Sequence, residues 1–174
     1  THLAVIIPAI SRSDPDYYNL LVANYIFGGS GFGSWLMEEI RQKRGLSYSV
    51  YSYLSTYQNS GYLRISLQTK NESINLAKNI IREQIDKLSR FDVEDAKIAA
   101  TKNAILRSFE MRADTNRKIL NLISSINYLN LDLNYFENYK NNLKQVNKDS
   151  IKAALNRAMD FDNISVFTVG KSIE

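Results

Sequence analysis

The chain has 174 residues, 44% of them hydrophobic and 23% charged, enough to bury a sizeable core in one domain spanning residues 1–174. The net charge of +4 is mild, and bases interleave with acids, as in "EEIRQKR"; a nucleic-acid footprint, which gathers charge on one face, is not expected. The absence of cysteine excludes disulfides and thiolate metal sites, and no apolar run approaches the roughly 18 residues of a membrane span.

Residues 2–10, "HLAVIIPAI", form an apolar, β-branched run that reads as a buried strand. Pro8 argues against its far end, because proline cannot donate to a ladder. A chain that opens inside a strand, without a leader, is expected to be a piece of a larger protein. Asp14 and Pro15 have helix-start chemistry, a carboxylate at the cap and a pre-set φ behind it. Gly28 and Gly29 are expected to stop that helix. A second, short helix is predicted over residues 34–43, closed by Gly45.

Strands are predicted over residues 46–55 and 62–70. In the second, Leu63, Ile65 and Leu67 alternate with Arg64, Ser66 and Gln68, and the intervening "TYQNSG" has hairpin chemistry. The period then changes. Ile74, Ala77, Ile81, Ile85 and Leu88 recur at steps of three and four, marking one apolar helix face. Asp92 is placed to cap a helix over residues 93–110. Further helices are predicted over 115–129, 135–145 and 149–159, with a closing strand in "NISVFTVGK", residues 163–171. The order predicts an α+β domain, an antiparallel-rich sheet with helices packed on one face.

Residues 28–33 hold four of the seven glycines. A phosphate loop would need Gly-Lys-Ser/Thr, and Gly33 is followed by Ser34-Trp35. A dinucleotide fingerprint would need a preceding strand, where a helix is predicted. His2 is the one histidine, so the chain lacks the three-ligand set of a catalytic zinc and a base for a serine triad. No metal ligand and no bound cofactor is expected. Arg41 and Tyr48 remain. Tyrosine is a neutral donor suited to a developing oxyanion, and arginine is a planar fork for carbonyl or carboxylate groups. A helix-to-strand reversal at Gly45 could bring both to one surface. On composition alone, a surface arginine and a half-buried strand tyrosine is the favoured reading, because isolated residues of these types are usually structural.

The stretch "DPDYYNLLVANYIFGGSGFGSWLMEEIRQKRGLSYSVYS" resembles the non-catalytic, C-terminal-type domain of the insulinase, or pitrilysin, family of zinc peptidases (M16). It is most similar to the small bacterial and processing-peptidase-like members. The family pattern of a helix into "LGGG", then serine and leucine, then "IReKrGLaYsV", appears as "IFGGSGFGSWL" and "IRQKRGLSYSV". The resemblance continues through residues 94–107 and ends at "VNKDSIKAALNRAMDFDNISVFTVGK". It implies two homologous halves closing around a peptide. One half carries H-x-x-E-H and the zinc. The other supplies an arginine and a tyrosine, matched here by Arg41 and Tyr48, for substrate binding and transition-state stabilisation. The implied partner is a zinc-bearing domain in the same polypeptide or in another subunit. Some members act only as structural or interaction domains, and that alternative stands beside the first. Arg44 matches a variable basic position. Trp35 departs from the family's usual arginine and is expected to change the loop surface. The compartment is left open between bacterial cytoplasm and periplasm. On this reading the glycines let the second helix approach the sheet, and the loop aims a site.

Overall fold

The computed structural model describes residues 1–132 and 134–170. Its strands are β1 (His2–Ala9), β2 (Val50–Thr56), β3 (Gly61–Gln68) and β4 (Ser165–Val169). They form one antiparallel sheet in the order β2-β3-β1-β4. The last residue of the predicted closing run, Lys171, lies outside the described residues. The helices are α1 (Tyr17–Asn24), α2 (Ile74–Arg90), α3 (Asp95–Glu110), α4 (Asn116–Tyr128), α5 (Tyr135–Gln145) and α6 (Lys148–Ala158).

The alternation in β3 decides which face is covered. Leu63, Ile65 and Leu67 are buried with Leu3, Val5 and Ile7 of β1, and the predicted face of α2 is buried with them. These side chains belong to one hydrophobic core. Arg64 and Gln68 of β3 and Tyr51 and Tyr53 of β2 point the other way and are exposed. The fold is therefore α+β, with helices on one face of an antiparallel sheet.

β1 runs through Pro8, contrary to expectation, because of where the missing donor falls. The Pro8 carbonyl accepts from Asp160 N at 3.1 Å, so its nitrogen faces that side too. β4 pairs only as far as Ile6, so no ladder bond is lost there. Asp92 does not cap α3. It pairs with Lys148 at 2.7 Å, and Glu94 occupies the cap position without a side-chain bond. The cap of α4 is Thr115, whose hydroxyl accepts from Lys118 N at 3.3 Å. That of α6 is a reciprocal pair of Asn147 and Ser150.

The start of the helix before the glycine cluster differs from the sequence reading. Regular helix begins at Tyr17, after a turn in which the Asp14 carboxylate accepts from Asp16 N at 2.8 Å. It widens into a π turn over Tyr25–Gly29 and ends there, at the glycine pair expected to stop it.

Candidate functional site

Gly28 lets the end of the first helix lie directly on β2. A Cβ there would sit 2.5 Å from Ser52 Oγ, 2.8 Å from Ser52 N and 2.7 Å from the Leu36 side chain. The close approach thus belongs to the first helix, not to the second as the sequence reading had it. Ser52 Oγ is satisfied by donating to Asn24 Oδ1 at 2.7 Å. After Ser30, left-handed backbone at Gly31 (φ 69°) and Gly33 (φ 86°) reverses the chain.

Ser34 starts the second helix. Its hydroxyl donates to Gly31 O at 2.7 Å, and its carbonyl accepts from Glu38 N at 3.0 Å. The helix is mostly π-wound, over Met37–Gln42. Leu36, Met37 and Ile40 are buried and hold it down, which leaves Arg41 at the surface. Gly45, at φ 60°, ends it, and Leu46 N returns to Ile40 O at 2.9 Å.

Tyr48 is not in a strand. β2 begins only at Val50, because the Ser47 side chain takes over the pairing. Its hydroxyl reaches Gln68 O at 2.7 Å and Ser49 O at 2.6 Å, so a side-chain bond stands where a main-chain ladder bond would continue. The following residue, Tyr48, is turned outward and is 86% exposed.

The result brings Arg41 and Tyr48 together. The Arg41 Cζ lies 4.7 Å from the centre of the Tyr48 ring and 4.6 Å from that of Phe32. Phe32, the aromatic between Gly31 and Gly33, is 70% exposed and was missed from sequence. A large aromatic flanked by glycines in a loop was the available signal. Each ring contact is worth about 0.5–1 kcal/mol at an exposed site. Local acids do not compete for Arg41. Glu38 pairs with Lys43 at 2.9 Å, and Glu39 with Lys43 at 2.6 Å and with Arg44. Hydrogen bonds from Lys43 and Arg44 hold the Glu39 carboxyl below its usual range. Arg41 therefore presents its donor edge without a carboxylate partner among the described residues. A groove of about 490 Å³ runs beside Tyr48, lined by Arg44, Gln68, Lys70 and Ser73 among others.

Trp35 does not join this surface. It packs toward Phe91, ring centres 6.2 Å apart, with the Lys87 ammonium 4.3 Å from its ring. Among the described residues no cluster of three His, Cys, Asp or Glu could hold a metal. The donor set does not fit a zinc ion, since the lone His2 is on β1 opposite Gln68 and Val169. No helix among the described residues is long and apolar enough to cross a membrane.

Comparison with known proteins decides the family. The Peptidase M16 inactive domain matches residues 1–105. The chain belongs to the M16 peptidase family. Within it, the "Non-peptidase homolog YmxG" of Helicobacter pylori is 39% identical over 142 residues, covering 76% of this chain and 31% of that protein. The "Uncharacterized zinc protease YmxG" of Bacillus subtilis is 30% identical over 119 residues, covering 68% of this chain and 29% of its own length. The M16 inactive domain from Pseudomonas fluorescens superimposes with a TM-score of 0.84 at 27% identity, over 99% of this chain and 42% of that one. The chain thus spans about a third of the length of these curated relatives. It is the inactive M16 domain of zinc-protease-family proteins.

Proposed function

We propose that this M16 domain is the non-zinc half of a peptidase, with Arg41 and Tyr48 acting on a peptide held at a zinc site of another domain or subunit. The observation that carries this reading is the exposed approach of Arg41 to Tyr48, seven positions apart in sequence and joined through Gly45. The 174 residues are read as one such domain within a longer assembly, in keeping with the small share of each relative they cover.

The roles follow from the side chains. Arg41 lies against the Phe32 and Tyr48 rings, which restrict its rotamers before any ligand arrives. Its free donor edge suits the carbonyl oxygens of an extended peptide. The Tyr48 hydroxyl is exposed and can donate to a scissile carbonyl oxygen as charge develops there. The zinc-bearing half supplies the activated water.

A second reading is favoured by one observation. The Helicobacter pylori relative is named a non-peptidase homolog. On that reading the domain is a scaffold, and the Arg41 surface makes no catalytic contribution. Arg41→Lys in the protein assembled with its zinc-bearing half separates the two. It keeps the charge and loses the fork, so kcat/KM for a peptide should fall. Arg44→Lys, whose partner is Glu39, should leave it unchanged. Equal behaviour of the two variants would leave the scaffold reading standing.

A further inference from the structure

Arg12 is the buried cation of this fold. It follows β1, its backbone N–H donates to Tyr57 O at 2.8 Å, and its residue exposure is only 6%. Its guanidinium is caged by tyrosines. The Cζ is 3.5 Å from the centre of the Tyr17 ring, 5.7 Å from that of Tyr18 and 5.4 Å from that of Tyr135. One nitrogen donates to the Tyr135 hydroxyl at 2.8 Å. Among the described residues no carboxylate pairs with it. Asp14 and Asp16, close by in sequence, are both taken by Arg157.

A guanidinium keeps its proton, so burial without an opposite charge is costly. Ring contacts recover only part of that cost. Tyr135 does not supply the missing anion. Burial pushes its hydroxyl up to about 12, so it stays neutral, accepts from Arg12 and keeps its own proton to donate.

Arg12 and Tyr135 line a cavity of about 480 Å³, within the usual range of small-molecule sites. The far wall is one face of α5. Asn138, Asn142 and Gln145 follow Tyr135 at steps of three, four and three and all line the cavity. Buried cation, hydroxyl donor and amide stripe make a receptor for an oxygen-bearing ligand. The rim also carries Asp14 and Asp132. Asp14 is compensated by Arg157, and the Asp132 carboxylate opposes a dianion such as phosphate while leaving room for a ligand of single negative charge.

We propose that this cavity binds a monocarboxylate of amino-acid or short-peptide size, its carboxylate on Arg12 and Tyr135 and its amide or amino group on the α5 amides. The site is distinct from the Arg41–Tyr48 surface, so the fate of one proposal does not decide the other.

The test is calorimetric titration of the purified protein with acetate, glycylglycine and inorganic phosphate. Both carboxylates should bind saturably, glycylglycine more tightly, with phosphate weaker than either. Arg12→Met should weaken glycylglycine about tenfold or more, the usual worth of a charge-assisted hydrogen bond. Because that variant removes the centre of a tyrosine cage and so puts folding at risk, Asn138→Asp is the second arm. It sets a carboxylate on the cavity wall one turn from Tyr135, should compete for Arg12 and should weaken glycylglycine while raising the melting temperature. No saturable carboxylate binding, phosphate binding tighter than both carboxylates, or an Asn138→Asp protein that binds glycylglycine like the parent would overturn the proposal.

Discussion

Replacing Gly28 with alanine isolates what the glycine cluster does. Gly28 has no left-handed φ, so alanine can adopt its backbone, and on conformational grounds alone the change should stabilise by about 0.4–1 kcal/mol. Space decides the sign. The new methyl would lie 2.8 Å from Ser52 N, a backbone atom of β2, and 2.5 Å from Ser52 Oγ, which is committed to Asn24. Leu36, at 2.7 Å, is fully buried and has little freedom to move aside. Overpacking of this kind costs about 1–3 kcal/mol, which leaves a net of about 0–2.6 kcal/mol, and the contact with the Ser52 backbone, which cannot swing aside, puts the expected destabilisation in the upper half of that range. Gly33→Ala is the contrast. Its Cβ meets nothing within 4 Å, and its cost comes from φ 86° alone, about 1–2 kcal/mol. Urea unfolding measures both. A Gly28→Ala protein as stable as the parent would refute the argument that the first helix is packed against β2 without room for a methyl.

Phe32→Ala should leave the urea midpoint nearly unchanged, because the ring is mostly exposed, yet release Arg41 from one of its two ring contacts. Peptide KM should then rise a few-fold, by the roughly 0.5–1 kcal/mol of that contact, with kcat less affected. The Glu39 carboxyl is depressed by hydrogen bonds from Lys43 and then Arg44. A depressed folded pKa contributes stability above the unfolded value near 4.5, lost as pH falls through the folded value. The protection factor of the Lys43 amide, its exchange rate relative to the intrinsic rate at each pH, should therefore fall below pH 4.5 in the parent, and Glu39→Gln should remove that dependence.

The strands and helices were legible where one residue's neighbours settle the question. Leu63, Ile65 and Leu67 alternate, the α2 face repeats at helical spacing, and α5 spans the predicted residues 135–145. What the sequence hid depends on distant partners. Asp92 reads as a cap until Lys148, 56 positions away, claims it. Tyr48 reads as a strand residue until Ser47 is seen to hold Gln68 O, 21 positions away. Arg41 and Tyr48 were named from motif and spacing, but the ring that shares Arg41 with Tyr48 was not. Phe32 reaches it only because Gly31 and Gly33 fold the loop back. The burial of Arg12 was hidden for the same reason, since its cage is completed by Tyr135, 123 positions on.

Tyr48→Phe in the protein assembled with its zinc-bearing half tests the central claim most directly. The change removes one hydroxyl from a residue that is 86% exposed and touches no core side chain, so stability should hold. If the hydroxyl donates to the developing oxyanion, kcat for peptide hydrolysis should fall by about 10² to 10³, with KM changed much less. An unchanged kcat in a folded Tyr48→Phe protein would contradict the account and leave this domain a scaffold.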